Sequence, residues 1–303
     1  MQTERTFIDD LKHQYNHGGM TMKLLFANTA VFLVIGLLHV VGRLGGGDFL
    51  SSISWLTHSI FQLPTDAYGF ITHPWTLITS IFAHFGFLHF LLNMIFLYVV
   101  GRTFEQVLDG NRLFYTYLIG GIFGGIFEVL ATFLPTIEAH TVVGASGGIM
   151  AIFIALAFYR PNMKVSFFGI FEMRIIFLGI AFFIIDFLSL GANDGTAHFA
   201  HLGGAVLGMI SVQHIHSPGN IIAVAQRIGD ATINFFKARK NKSPRMKVHR
   251  NQNARMRTDE EYNIAAKERQ DQIDRILDKI SKSGYDSLTK QEKDFLFKQS
   301  KNG

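Results

Sequence analysis

Three short polar clusters hold the residue types that acyl chemistry needs. Gly144-Ala145-Ser146-Gly147 sets one serine among small residues, and Ala197-His198-Phe199-Ala200-His201-Leu202-Gly203-Gly204 supplies two histidines. His89-Phe90-Leu91-Leu92-Asn93 adds two more polar side chains. A serine hydroxyl is a poor nucleophile until a neighbouring base takes its proton. The imidazole of His201, which titrates near operating pH, is the base this chain offers. Attack on a carbonyl generates an oxyanion that needs donors. Backbone N–H groups at a helix start beside Ser146 lack intrahelical acceptors and sit at the positive end of the helix dipole. His89 and Asn93, at i and i+4, share one helix face and both donate through their side chains. Gly144 and Gly147 leave the backbone bare for an approaching peptide. Gly147 with Ala151, and Gly204 with Gly208, are small-xxx-small pairs that let two membrane helices pack closely.

Each residue also has a plainer reading. A single buried serine or histidine usually serves packing, so only their conjunction points to chemistry. His198 lies one turn from His201, but the His-x-x-Gly-x-x-x-Gly context favours His201 as the base and leaves His198 at the rim, or as an aid to water entry. His84 reads as a helix-start residue. His84, His89, His198 and His201 could converge on a metal, yet no His-Glu-x-x-His pattern accompanies them and no carboxylate joins the set, so no metal is expected. No acidic residue stands at a matching depth except the loop residue Asp194. The expectation is therefore a serine–histidine pair with no third member, and Asp186 is at most a distant influence. Glu128, inside an apolar run, reads as a packing hydrogen bond or a neutral acid.

The elements that must position these clusters lie in a membrane. The chain is 49% hydrophobic and only 17% charged, where a soluble domain carries about 25% charged residues. Nineteen of its 28 lysines and arginines follow Ser217, so an apolar domain precedes a basic aqueous tail. The absence of cysteine excludes disulfides and thiolate-bound metals. The first twenty residues are mixed in charge and no small-residue cleavage site follows the first apolar run, which reads as a retained span. Six stretches suit membrane helices: 23–41, 82–100, 113–134, 142–158, 174–190 and 197–212.

Basic residues in short loops set the orientation. With the N-terminus inside, the inner loops 101–112 and 159–173 hold Arg102, Arg112, Arg160 and Lys164, while loops 135–141 and 191–196 hold no Lys or Arg. Spans two, four and six then run from outside to inside. The three clusters, each at the start of one of these spans, arrive in the same outer leaflet. The charge bias is independent of the clusters, so the agreement is informative. The 42–81 segment carries Trp55, Phe61, Tyr68, Phe70 and Trp75 with little charge, which suits the membrane interface.

The tail divides in two. Residues 237–257 contain nine basic and no acidic residues, a composition drawn to anionic inner-leaflet lipids at about 1 kcal/mol per charge. No nucleic-acid recognition motif accompanies them. Beyond, Ile273, Ile276, Leu277 and Ile280 keep helical spacing, and Thr289 with Glu292 forms a capping-box pattern, so two helices joined at Gly284-Tyr285 are expected.

The clusters together resemble the rhomboid family of intramembrane serine proteases. The likeness rests on Gly144-Ala145-Ser146-Gly147, on His201 followed by Gly204 and Gly208, and on His89 with Asn93, in that order along six spans between about Lys23 and Val212. Each motif alone is weak, whereas three with the right span parity are specific. The resemblance implies Ser146 as nucleophile and His201 as general base. It implies an oxyanion hole of the Ser146 N–H, His89 and Asn93, and a transmembrane protein as substrate. Trp75 and the stretch from Gly101 to Glu105 resemble positions thought to be structural. One position departs: the family often has an aromatic residue four places after the serine, packed on the histidine, and here it is Met150, whose thioether can also pack on an imidazole.

The expected protein is all-α, a polytopic six-transmembrane-helix rhomboid-like bundle with a cytoplasmic helical C-terminal tail. Its parts would be an N-terminal segment 1–20, a protease domain 21–213, a basic linker 214–258 and a helical hairpin 259–303. The expected activity is intramembrane serine endopeptidase, in a bacterial inner membrane with both termini cytoplasmic, acting on transmembrane protein substrates among membrane lipids. Neither a cofactor nor a nucleic-acid partner is expected. Two rivals are a catalytically inactive relative that binds membrane helices, and a small transporter, which would show an inverted repeat that this chain lacks.

Overall fold

A computed structural model describes residues 6–167, 171–192, 194–240 and 259–300. The chain divides into two compact units, one ending at Asn241 and one starting at Lys242. In the first, α1 (Phe7–His17) starts at a Thr6–Asp9 capping box. Then come α2 (Gly19–Leu44), α3 (Gly47–Phe61), β1 (Leu63–Pro64), α4 (Ala67–Thr72), α5 (Thr76–Thr79) and a 3-10 turn over Ser80–Phe82. The bundle continues with α6 (Phe87–Val107), α7 (Gly110–Ala131), β2 (Thr141–Val142), α8 (Ser146–Tyr159) and a hairpin of β3 (Lys164–Phe167) with β4 (Phe171–Arg174). It closes with α9 (Ile175–Leu188), α10 (His198–Ser211) and α11 (Ile221–Lys240).

All six expected spans are helical, and the protein is a helical polytopic membrane fold. Their lengths differ from expectation. Only α2, α6 and α7 are long and apolar enough to cross a bilayer by length and composition. The other three have 14 residues each, or about 21 Å of rise against about 30 Å of hydrocarbon. The cause is local. Residues 142–145 were expected to begin the fourth span, but Gly144 adopts φ +132°, a left-handed conformation that no helix continues. Helix α8 therefore begins at Ser146 itself.

Helix α8 forms the centre: every residue from Gly147 to Ala157 is buried. Around it α7 and α10 approach to backbone distance. A Cβ built on Gly204 would lie 2.1 Å from Gly147 O, and one on Gly208 would lie 2.4 Å from Ala151 O. The two small-xxx-small pairs read from the sequence thus face each other. Glu105, near the end of α6, accepts from Thr21 N (3.1 Å) and Thr21 Oγ1 (2.8 Å), so a carboxylate caps the start of α2. The aromatic 42–81 segment, expected at the interface, is mainly helix, with Trp55, Tyr68 and Trp75 exposed. Part of the expected linker is helical too: α11 packs on α7, where Gly229 lies against Tyr115.

In the second unit, α12 (Asp259–Ser283) and α13 (Lys290–Ser300) flank a 3-10 turn over Tyr285–Ser287. Gly284 supplies φ +75° at the junction. The capping box forms, Thr289 N donating to Glu292 Oε2 at 2.7 Å and Glu292 N to Thr289 Oγ1 at 3.4 Å. Most of the basic segment 237–257 lies outside the described residues.

Candidate active site

Ser146 is the first residue of α8, a position whose N–H has no intrahelical acceptor. The segment leading to it is strapped down on two sides. Leu63 pairs with Val142 and Pro64 with Thr141, while Thr65 N donates to His140 O (2.9 Å) and His140 N to Thr65 Oγ1 (2.8 Å). Gly144 N donates to Ser80 O at 3.0 Å. His84, fully buried, takes Ala145 N at 3.4 Å on Nε2. Its Nδ1 is the one buried side-chain polar atom without a partner among the described residues.

Helix α10 brings the imidazoles. A Cβ built on Gly147 would lie 3.3 Å from Ala200 O. The residue after Ser146 therefore rests against the residue before His201. Ser146 and His201 are both half-buried. His201 Nδ1 is taken up by Asp186 (below), which leaves Nε2 as its open nitrogen. Ser146 Oγ has no hydrogen-bond partner among the described residues.

His89 lies on the same side: a Cβ on Gly144 would be 2.8 Å from His89 Cε1 and 3.0 Å from Nε2. Glycine at 144 is thus required by conformation and by space. One turn on, buried Asn93 donates Nδ2 to His89 O at 2.9 Å, and its second amide proton has no partner among the described residues. Met150 is buried in the core beside Ile149 and Phe153.

These positions decide the family. Residues 72–217 match the rhomboid domain, and they contain all three clusters. Residues 72–217 thus form a rhomboid domain. It is 29% identical over 135 residues to RHOMBOID-like protein 6, mitochondrial, of Arabidopsis thaliana, covering 44% of this chain and 41% of the relative. Rhomboid-like protease 3 of Toxoplasma gondii is 28% identical over 140 residues (46% and 50%), and Rhomboid-type serine protease 2 of Emericella nidulans 31% over 156 residues (50% and 28%). The chain thus spans half or less of the length of these relatives. Residues 257–302 match a separate family of unknown function, DUF6576.

Two carboxylates in the rhomboid unit go beyond the sequence reading. Asp186 was expected to act at most from a distance. Instead, on α9, it is buried and its Oδ1 lies 2.8 Å from His201 Nδ1 and 2.7 Å from His198 Nδ1. The reason is geometric: α9 and α10 are joined by a short loop, so the end of one meets the start of the other. His198 Nε2 meets Asp194 Oδ2 at 3.1 Å, so His198 is buried between two carboxylates rather than set at the rim. The donor atoms of Asp186, His198 and His201 lie within 4.8 Å of one another, and hydrogen bonds tie both rings to the one oxygen. Glu128, buried in α7, accepts from Ala200 N at 2.7 Å, capping α10, and meets His140 Nε2 at 3.2 Å. The packing hydrogen bond expected of it is present, and its second partner is a loop histidine.

Proposed function

We propose that this chain, through its rhomboid domain, is an intramembrane serine endopeptidase. Ser146 Oγ attacks the scissile carbonyl carbon while His201 Nε2 takes its proton. The tetrahedral oxyanion is held by the Ser146 N–H and the side chains of His89 and Asn93, a class of donor whose loss typically costs ~10²–10³ in rate. The C–N bond breaks as His201 returns the proton to the leaving amine. Water, deprotonated by the same imidazole, then releases the acyl group from Ser146. The observation that supports this reading is the close approach of Gly147 to Ala200, the chain neighbours of Ser146 and His201.

The substrates on this reading are transmembrane proteins cleaved in or near their spans. The exposed apolar faces of α2, α6 and α9 fit a lipid setting. Basic residues in the inner loops favour both termini in the cytoplasm of a bacterial inner membrane. Reporter fusions to the termini and to loop 135–141 would check that orientation.

The test has two arms. A fluorophosphonate probe labels the wild-type protein and leaves Ser146→Ala unlabelled. Co-expression with tagged single-span proteins gives cleavage that Ser146→Ala and His201→Ala both abolish. A folded wild type that never takes the label would instead identify a non-catalytic binder of membrane helices, and cleavage surviving Ser146→Ala would remove the mechanism.

A further inference from the structure

His198 is held in a way that fixes its protonation. Both ring nitrogens face carboxylate oxygens, at 2.7 Å to Asp186 and 3.1 Å to Asp194. An ionised carboxylate only accepts, and a neutral imidazole has one N–H to give, so satisfying both contacts needs the doubly protonated ring. Asp194 stays ionised: hydrogen bonds from Thr196 N, then from His198, hold its carboxyl below the ordinary range. Two carboxylates against one imidazolium leave one negative charge beside His201, whose Nδ1–H donates to the same Asp186 oxygen.

We infer that Asp186 is the positioning residue of a Ser146–His201–Asp186 relay, and that the His198–Asp194 pair tunes it by sharing the Asp186 carboxylate. The inference rests on the proposed protease reading and adds a third member to its machinery. Accepting from Nδ1–H does two things. It selects the tautomer whose Nε2 lone pair is free for the Ser146 proton, and it fixes the ring plane. When the proton moves from Ser146 Oγ to His201 Nε2, the positive charge formed on His201 neutralises the cluster's one net negative charge. The relay gains attraction at the moment of proton transfer. Asp186 never takes the proton. It touches no substrate and acts through the histidine.

Other charged or titratable groups face this cluster. His89 of α6 lies within electrostatic reach of His201, and Glu128 of α7, paired with His140, ends on Ala200 N. None of them bonds to Asp186 or His198 among the described residues, so substitutions at those two positions remove no direct partner of theirs.

The experiment measures cleavage of a tagged single-span substrate, and fluorophosphonate labelling rate, across pH in detergent. Asp186→Asn is expected to lower kcat by about 10²–10⁴-fold with KM within about threefold, and to slow labelling in parallel. Its acid limb of kcat/KM moves to lower pH, because the lost negative charge no longer favours a proton on the imidazole. Asp186→Glu recovers part of the rate. His198→Gln moves the acid limb the other way, to higher pH, because it removes the cation that offsets Asp186. A residue serving packing alone would not shift the two limbs in opposite directions. Should Asp186→Asn fail to fold, Asp186→Glu and His198→Gln carry the test. An unchanged limb in Asp186→Asn or His198→Gln, shifts of those two in the same direction, or wild-type activity lost to a chelator and restored by zinc would overturn the relay. Failure of Ser146→Ala to abolish cleavage would instead overturn the protease reading beneath it.

Discussion

The seam between α7, α8 and α10 and the outlying helix α9 hold their parts of the site by different means. At the seam, main chains touch: besides Gly204 and Gly208, a Cβ on Gly124 would fall 2.5 Å from Ala200 O, and one on Gly148 2.5 Å from Tyr117 O. Ser146 and His201 are each one residue from such a contact, so their relative position is set by backbone against backbone. Helix α9 buries only Ile175, Gly179 and Asp186, and leaves Phe177, Ile184, Ile185, Phe187 and Leu188 exposed. Its carboxylate reaches the site as one polar residue on an apolar, lipid-facing helix. Position at the seam is steric and hard to adjust, whereas position at α9 is electrostatic and can be changed without unpacking the bundle.

The largest effect is expected where the seam is tightest. Gly204→Val puts its Cβ 2.1 Å from a backbone carbonyl oxygen, a clash that no rotamer change relieves. Overpacking of a good core costs about 1–3 kcal/mol and occasionally more, and with main chain on both sides the upper end applies. Thermal unfolding in detergent should drop sharply, with fluorophosphonate labelling lost. A variant that folds and labels like wild type would show that α8 and α10 are free to separate.

The next effect lies at the buried polar end of the seam. Tyr117 OH donates to Ile81 O at 3.0 Å and accepts from Asn28 Nδ2 at 3.1 Å, joining α7 to α2 and to the turn whose Ser80 carbonyl holds Gly144. Tyr117→Phe leaves two buried groups short of a partner, at about 1–3 kcal/mol each at most. Denaturation in a graded detergent–denaturant series should show the loss, and Asn28→Leu added to it should recover part of the cost by removing an amide that keeps only its bond to Leu24 O.

How much of this could be read from the chain follows the same division. Ser146, His201, Gly204 and Gly208 were legible because what fixes them is local spacing: small residues at four-residue intervals, and polar residues at the heads of apolar runs. Asp186 was not, because its partner lies on another helix whose rotation no local pattern reports. A signal existed. Asp186 is the sole ionisable residue of α9, and a lone charge in such a run is costly without a partner at the same depth. The first two histidines after it, at the head of the following apolar run, are His198 and His201. The two-residue pairing of β1 with β2 was illegible for a different reason: it has no periodicity, and it exists only because the helices bring Leu63 to Val142.

A smaller effect is expected at the solvent end of α7. The hydrogen bond to Glu128 is the main reason that the His140 imidazole holds its proton above its ordinary value. A group whose value is raised on folding contributes stability that is full below its unfolded value, near 6.5, and that fades as pH rises through the folded one. His140 is partly exposed, so the pair is worth about 0.2–1 kcal/mol after solvent screening. Melting temperature should therefore fall from pH 6 to pH 8 (about the window of an ordinary histidine) more in wild type than in His140→Gln. Parallel curves for the two proteins would dissociate His140 from the Glu128 cap on α10.

The smallest effect is expected on α9, and it tests the comparison most directly. A Cβ on Gly179 would lie 3.2 Å from both Ala157 Cβ and Ile154 Cδ1, side-chain neighbours that need give only a few tenths of an ångström. Helix α9 can move outward by that amount because lipid, not protein, meets its outer face. Replacing a mid-helix glycine by alanine gains about 0.8–1 kcal/mol of helix propensity, which offsets the crowding. Gly179→Ala should thus be neutral or slightly stabilising in thermal unfolding. Its activity should stay near wild type, because so small a shift leaves Asp186 within hydrogen-bond range of His201. If this alanine instead destabilised the protein as much as one at Gly208, α9 would be locked as firmly as the seam. Its carboxylate would then be part of the rigid frame rather than a separable contribution.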